Sequence, residues 1–256
     1  MEPIMNVAEL VAALDESGRA LADAADEAGL DAPVPTCPGW QVRDLLRHTA
    51  MVHRWAAAFV TEGHTSYHPD GGEPQLDGEE LLGYFREGHA ALVEALTKAP
   101  ADLECWTFLP APSPLAFWAR RQAHETGVHR ADAESALPSG PRPVDATLAV
   151  DGIDELLYAF HGRDRSRVRT ETPRVLRVEA TDTGDVWTVR LSPDAPSTTR
   201  TTRSDDSDGP ADCTLSGPAW RLFLTLWNRL PADAVELTGD ASLAALWREH
   251  SGITWS

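Results

Sequence analysis

Apolar residues recur at helical spacing through the N-terminal part of the chain. The first such stretch runs from Val7 to about Ala28, and three more cover residues 41–59, 79–97 and 115–134. Intervals of three and four residues place the apolar positions of each stretch on one face of a helix. The segments between them contain prolines and glycines, which interrupt helices. The pattern therefore predicts a bundle of about four helices joined by substantial loops.

A fifth helical pattern covers about residues 146–160, and after residue 172 the pattern changes to strict alternation. The segments VLRVEA and VWTVRL flank the turn-rich TDTGD, which predicts a β-hairpin. Two further strand patterns and two helical ones follow, and residues 195–210 are expected to form a flexible loop. The predicted fold class is α+β, with a four- to five-helix bundle in residues 1–165 and a small α+β domain in residues 172–256.

The balance of charge restricts the partners that this chain can bind. Its 256 residues include 40 Asp and Glu against 22 Lys and Arg, a formal net charge of −18 at pH 7. A surface that negative repels the phosphates of nucleic acids and the head groups of anionic membranes. We therefore expect neither nucleic acid nor a membrane among its partners.

The N-terminal residues and the cysteines indicate a compartment. The chain begins MEPIMNVAELVAALDESG, which carries early acids and lacks the basic segment and long apolar run of a targeting signal. No stretch of about 18 apolar residues occurs, so no transmembrane helix is expected. Cys37, Cys105 and Cys213 are odd in number and widely spaced, which is typical of reduced thiols. These features predict a soluble, cytoplasmic protein.

The residues best suited to chemistry lie on the fourth predicted helix, in the segment HETGVHRAD. Glu125 and His129 are four residues apart, so their side chains lie one turn apart on the same face. A carboxylate and an imidazole are good zinc ligands, and helical bundles build metal sites from such pairs and a residue of a facing helix. The same spacing also occurs on exposed helices as a weak pairwise interaction. The pair alone leaves both interpretations open.

The second predicted helix carries a residue that would complete a metal site. His48 follows Leu45 by three residues and therefore shares the apolar stripe of that helix. Asp44, one turn earlier, is a candidate acceptor for the second ring nitrogen of His48. A histidine on an apolar stripe is, however, more often a hydrogen-bonded core residue than a ligand. His53 and His124 are expected to lie on the surface or beside the ligands.

Two longer motifs resemble a known family. The segments PTCPGWQVRDLLRHTAMVHRWAA and ARRQAHETGVHRADAE contain the patterns PGWxVRDLLxH and HExxxHRxDA. Both are similar to motifs of the mycothiol-dependent maleylpyruvate isomerase family, an actinobacterial branch of the DinB-like metal-binding helical bundles. The segment LFLTLWNRLPADAVELTGDASL is similar to the small C-terminal domain of that family. The resemblance covers nearly the whole chain and implies a DinB-like bundle followed by this domain.

The resemblance also implies a metal centre and an active-site arginine. The family's three metal ligands fall on His48, Glu125 and His129. Its active-site arginine falls on Arg229, although an arginine in WNRLP is also explained as a surface residue that caps the preceding helix. Three protein ligands leave one position of a zinc ion open, as in catalytic zinc sites. The implied cofactors are a divalent metal such as zinc and mycothiol as a low-molecular-weight thiol cosubstrate.

These inferences predict a metal- and mycothiol-dependent enzyme whose thiolate attacks a small electrophilic substrate. Reversible addition to a conjugated double bond would make it an isomerase, and a single attack would make it a transferase. Two alternatives remain open at this point. A collapsed or filled metal pocket would indicate a non-enzymatic metal-binding or regulatory module, and turnover without any thiol would indicate a metal-dependent hydrolase that uses bound water.

Overall fold

The computed structural model describes residues 4–203 and 209–253. Contacts within the chain divide it into two compact units, one formed by residues 5–142 and the other beginning at Pro143. The first is a bundle of long helices and the second combines helices with a mixed β-sheet. The predicted fold class, a helical bundle followed by a small α+β domain, is therefore confirmed.

The first unit, described over its whole length, consists of the helices α1 (Val7–Ala28), α2 (Val42–Glu62), α3 (Gly78–Lys98) and α4 (Pro114–Ser135). They lie where the periodicity predicts them. Side chains just before the helices explain where they begin. Asn6 and Glu9 form a capping box at the start of α1, and Ser113 accepts a hydrogen bond from the third residue of α4.

Apolar stripes on α1, α2 and α3 form the core of the bundle. Helix α1 packs mainly against α4, and α2 packs mainly against α3. Fully buried core side chains include Leu14, Leu21, Leu45, Leu46, Phe85 and Leu92. Helix α4 differs, because its buried residues include many polar and charged ones, among them Arg121, His124, Glu125, His129 and Asp132. Buried charges are costly unless they are paired, so α4 must place these groups beside partners.

One glycine allows a histidine to cross between two helices. A methyl group at Gly18 of α1 would overlap the imidazole ring of His89, which α3 contributes. The Nε2 atom of His89 lies 3.2 Å from the carbonyl oxygen of Leu14, so the ring bridges α3 and α1. The glycine is required here by this close approach rather than by its backbone conformation.

The second unit begins with α5 (Ala146–Asp154), which continues as a π-helical turn over Glu155–Phe160. Its described strands form one sheet in the order β3-β2-β1-β4-β5, in which β1 and β4 are parallel and the other neighbours antiparallel. The remaining elements are β1 (Arg174–Ala180), β2 (Asp185–Leu191), β3 (Ser197–Thr202), β4 (Cys213–Gly217), α6 (Ala219–Leu226), a 3-10 turn (Ala232–Ala234), β5 (Glu236–Gly239) and α7 (Ala241–His250).

Strand β3 corrects one expectation from the sequence. The predicted hairpin is present as β1 and β2, but Ser197–Thr202 lies within the segment 195–210 that was expected to be a loop. The polar sequence STTRTT pairs with β2 along the edge of the sheet. Threonine is β-branched and favours strands, and an edge strand tolerates polar side chains. Residues 204–208 of the predicted loop lie outside the described residues.

The division into units also differs from the boundary that the sequence suggested. The sequence placed it between residues 165 and 172, whereas the contacts divide the chain between Arg142 and Pro143. Helix α5 packs against α6, so it groups with the second unit. Its helical period resembles that of the preceding helices, and only its packing partner distinguishes it. Among the described residues, no helix combines the length and hydropathy needed to cross a membrane.

Candidate metal centre

Three potential metal ligands converge between α2 and α4. His48 of α2 and Glu125 and His129 of α4 each offer a ligand atom, and these atoms lie within 4.8 Å of one another. The Oε1 atom of Glu125 is 3.1 Å from Nε2 of His129 and 3.8 Å from Nε2 of His48. The two imidazole rings meet edge to face, with centroids 5.2 Å apart. The fold therefore brings together all three residues that the sequence singled out as ligands.

The donor set suits a divalent transition metal. Two imidazole nitrogens and one carboxylate oxygen face a common point, as in catalytic zinc sites that have three protein ligands. Glu125 and His129 are buried, whereas the side chain of His48 is 16% exposed. The cluster therefore lies inside the bundle but reaches a partly accessible residue. An ion held there would be screened only weakly by solvent, and so its charge would act strongly on neighbouring groups.

The charge of Glu125 is set by its neighbours. Burial alone would raise the pKa of this carboxyl, but the hydrogen bond with His129 and the nearby imidazole of His48 outweigh burial and hold the pKa well below its usual range. Arg121, one turn earlier on α4, adds to this effect, with Nη2 3.2 Å from Oε2 of Glu125. The guanidinium occupies one carboxylate oxygen and leaves the other facing the histidines. Glu125 is therefore ionised, as a metal ligand must be.

A carboxylate that the sequence reasoning overlooked orients His129. The Oδ2 atom of Asp132 lies 2.9 Å from Nδ1 of His129, and Thr36 donates a hydrogen bond of 2.6 Å to Oδ1 of the same carboxylate. The proton on Nδ1 points at Asp132, so loss of the Nε2 proton to an incoming cation would leave the Nε2 lone pair facing Glu125 and His48. This arrangement is common behind ligand histidines. The HRAD segment contained the signal, since Asp132 follows His129 by three residues.

The same surroundings attract positive charge to His129. Burial would lower the pKa of its imidazole, but hydrogen bonds with Asp132 and Glu125 and the charges of both carboxylates raise it to about 9. Two carboxylates thus flank one ring inside the bundle. A proton or a metal ion compensates this negative charge, and so the electrostatics of the site favour a cation.

His48 has a different neighbour from the expected one. Asp44 accepts a hydrogen bond of 2.9 Å from the backbone N–H of Gln41 at the start of α2, so it serves the helix end and not His48. The Nδ1 atom of His48 instead lies 3.8 Å from Oε1 of Glu73, in the loop before α3. That loop is anchored beside the site because Arg47 donates two hydrogen bonds to a loop carbonyl, that of residue 76.

An indole borders the ligand cluster. The ring centroid of Trp40 lies 5.2 Å from that of His48 and 6.5 Å from that of His129, and it is nearly parallel to the latter ring. Trp40 closes the loop between α1 and α2, immediately before the helix that carries His48. Its apolar surface keeps water from one side of both imidazoles and strengthens electrostatic interactions among the ligands.

The sequence left two positions open for His53 and His124, on the surface or beside the ligands, and the structure excludes the first. Both are fully buried. The Nε2 atom of His53 lies 2.9 Å from Oγ1 of Thr126, which α4 contributes. Helix α2 packs against both α3 and α4, and α4 is buried on nearly all its faces. Polar groups that a simple amphipathic helix would expose are therefore covered by neighbouring helices.

Arg229 lies in the second unit, just after α6. The preceding Asn228 has φ 62°, a left-handed conformation that ends many helices, and the backbone N–H of Arg229 donates to the carbonyl of Leu224 at 2.7 Å. The Nη1 atom of Arg229 donates to the carbonyl of Trp227 at 3.0 Å. The backbone of this segment therefore closes the helix, while a role of the side chain with substrate stays a prediction.

Both units have counterparts among known proteins. Residues 11–134 match the mycothiol maleylpyruvate isomerase N-terminal domain, and residues 147–246 match the C-terminal domain of the same family. A crystal structure of the mycothiol-dependent maleylpyruvate isomerase aligns with a TM-score of 0.63 at 12% identity, covering 93% of this chain and 96% of that chain. A mutant of that enzyme aligns with a TM-score of 0.62 at 11% identity and the same coverage. At such identity the structural likeness concerns the fold.

No curated protein matches this chain at a significant level. The two domain matches, by contrast, together span most of the sequence, follow each other in the family's order, and include all three clustered residues of the bundle. The chain therefore belongs to the mycothiol maleylpyruvate isomerase family, a family of enzymes.

Proposed function

We propose that this chain is a mycothiol-dependent isomerase that binds a divalent metal, with zinc as the expected ion, through His48, Glu125 and His129. The single observation that carries the proposal is the convergence of these ligand atoms within 4.8 Å, in a chain of this family. A divalent cation held there would lower the pKa of a thiol bound at its open position and so supply a thiolate at neutral pH.

The residues around the ligands prepare them for this role. Glu125 is kept ionised by the histidines and by Arg121, and Asp132 directs the proton of His129 away from the cluster. Trp40 covers one side of the two imidazoles. A cation that binds would therefore have to displace the Nε2 proton of His129, while Glu125 and the Nδ1 side of His129 already have the charge and orientation that binding needs. Such preorganisation favours affinity.

The reaction that fits a thiolate is reversible addition to a conjugated double bond. The sulfur forms a bond to one carbon, and the π-electron pair moves towards the conjugated carbonyl group. The former double bond is then single and can rotate. Expulsion of the sulfur restores the double bond in the trans geometry and returns the thiol unchanged. We propose a small cis-unsaturated oxo acid of the maleylpyruvate type as substrate, following the name of the family.

Arg229 is the proposed anchor for the anionic part of the substrate. This assignment rests on the resemblance of WNRLP to the family's active-site segment. A guanidinium binds a carboxylate through two parallel hydrogen bonds, which lysine cannot reproduce. Arg229→Lys is therefore expected to raise KM for a dicarboxylate substrate, with a smaller effect on the metal content of the protein.

The decisive experiment measures thiol dependence. Metal-loaded protein would be assayed on maleylpyruvate by the change in absorbance on isomerisation, with mycothiol, with another low-molecular-weight thiol, and with none. We expect turnover only with mycothiol or a close mimic, and loss of both metal and turnover in His48→Ala and His129→Ala. His250→Ala, at the end of α7 in the second unit, serves as the control histidine variant.

Each alternative has its own signature in this assay. Equal turnover without thiol would contradict the thiol-dependent isomerase and favour a metal-dependent hydrolase that uses bound water. Consumption of one thiol for each substrate would identify a transferase. Metal binding without turnover of any electrophile would identify a binding module. Elemental analysis that finds no metal in the wild-type protein, or full metal in both histidine variants, would remove the basis of the proposal.

A further inference from the structure

A buried hydrogen bond joins the two ligand-bearing helices just beside the ligand cluster. The Nε2 atom of His53 on α2 lies 2.9 Å from Oγ1 of Thr126 on α4. Both side chains are fully buried, and Thr126 is the immediate neighbour of Glu125. His53 lies five residues after His48, about 7.5 Å along the helix axis. The bond therefore forms a second polar contact between α2 and α4, offset from the ligands.

The position of this bond allows it to constrain the geometry of the metal ligands. Helix α2 packs chiefly against α3 and makes less extensive contact with α4. The ligands, however, come from α2 and α4, so their spacing depends on the less extensive of these two contacts. The two helices also pack through rings such as those of Phe59 and Trp118, whose centroids lie 4.9 Å apart, but the bond between His53 and Thr126 is nearer to the ligands along both helices. A directional hydrogen bond at that position restricts rotation and sliding of one helix against the other. Ligand atoms must be held within a few tenths of an ångström for tight metal binding.

The protonation of His53 is consistent with a fixed bridge. Burial lowers the pKa of its imidazole well below the usual range, with a further contribution from nearby His89. The ring is therefore neutral and carries one proton. Its Nδ1 atom has no hydrogen-bond partner among the described residues. An unpaired N–H costs more than an unpaired lone pair, so the proton belongs on Nε2, which donates to Thr126.

We infer that His53 is a positioning residue for the metal centre. It acts through Thr126, whose hydrogen bond fixes the turn of α4 that carries Glu125 relative to the turn of α2 that carries His48. His53 itself touches neither the metal nor the substrate. This inference rests on the metal binding proposed above, and it assigns a function to a histidine that would otherwise be an ordinary core residue.

Cobalt substitution provides a test that does not depend on activity. The absorption bands of Co²⁺ report coordination number and geometry, and titration of the metal-free protein gives its affinity. Thr126→Val removes the hydroxyl with almost no change of shape, and His53→Leu removes the ring nitrogen. We expect each to weaken Co²⁺ binding about tenfold or more, as for other groups that orient ligands, and to alter the spectrum. The double variant should bind Co²⁺ no more weakly than the weaker-binding of the two single variants.

Two further variants separate positioning from general stability. His53→Gln can place an amide N–H near the position of Nε2 and should restore most of the affinity. Leu96→Ala removes a buried core side chain of α3 that lies two turns beyond the level of His53 and His89. It should lower the melting temperature and leave the Co²⁺ spectrum unchanged.

The outcomes distinguish this inference from the proposal on which it rests. Wild-type spectra and affinity in both Thr126→Val and His53→Leu would overturn the positioning role while leaving the metal centre intact. Equal spectral changes in Leu96→Ala would also overturn it, because any loss of core packing would then suffice. Absence of Co²⁺ binding by the wild-type protein would instead overturn the metal centre itself, and the positioning role with it.

Discussion

The sharpest test of the metal centre is the substitution of Asp132 by asparagine. The carboxylate is fully buried and lies 2.9 Å from Nδ1 of His129. Asparagine has almost the same shape, so packing is kept. Its amide group, however, can donate to Nδ1 and would then favour a proton on Nε2, the nitrogen that faces Glu125 and His48. The substitution therefore reverses the orientation of one hydrogen bond and leaves the ligands themselves in place.

The expected loss follows from the geometry. Removal of a group that orients a ligand histidine costs about 10- to 100-fold in metal affinity, or about 1.4–2.7 kcal/mol. We expect a value near the upper end, because Asp132 is buried and its other oxygen is already held by Thr36. Thr36→Val is the graded control. It removes the 2.6 Å hydrogen bond to Asp132 but keeps the contact between Asp132 and His129, so a loss of a few-fold is expected.

The measurement is competition for Zn²⁺ between the protein and a chromophoric chelator, with circular dichroism to verify that each variant is folded. The critical result is the order of Zn²⁺ affinity, which should decrease from wild type to Thr36→Val to Asp132→Asn. Unchanged affinity in Asp132→Asn would show that the carboxylate does not select the tautomer of His129, and its role in orienting that ligand would be refuted.

Three further predictions concern stability, each measured by chemical unfolding. Gly18→Ala should cost about 1–3 kcal/mol because its methyl group overlaps His89, whereas Gly83→Ala, with open space around it, should be neutral or stabilise by up to about 1 kcal/mol. Asp154→Ala should cost about 3–5 kcal/mol because a buried indole and a guanidinium, each within hydrogen-bond distance, lose their acceptor; a loss below about 1 kcal/mol would contradict this pairing. Burial lowers the pKa of His161 to about 4, below its unfolded value of 6.5, so its contribution is present above pH 6.5 and is lost as the pH falls towards 4. Between pH 7 and 5 the wild type should lose about 2 kcal/mol more than His161→Gln, and parallel pH profiles would refute the shift.

Much of this protein follows from its sequence alone. Apolar spacing determines the four helices of the bundle because a helix must place its apolar side chains on one face, and alternation determines the hairpin of β1 and β2 for the same reason with a different period. The pairing of Glu125 with His129 is local, since it depends only on four residues of one helix. The motifs around His48 and His129 lead to the family.

The tertiary structure decided what depends on residues far apart in the chain. It gave His48 the neighbour Glu73 in place of Asp44, because a loop rather than the same helix approaches Nδ1. It buried His53 against Thr126, 73 residues away, whereas the sequence had left open a position on the surface or beside the ligands. It also assigned α5 to the second unit through contact with α6. Periodicity reports which face of an element is buried, and it carries no information on which partner covers that face or which polar group meets it there.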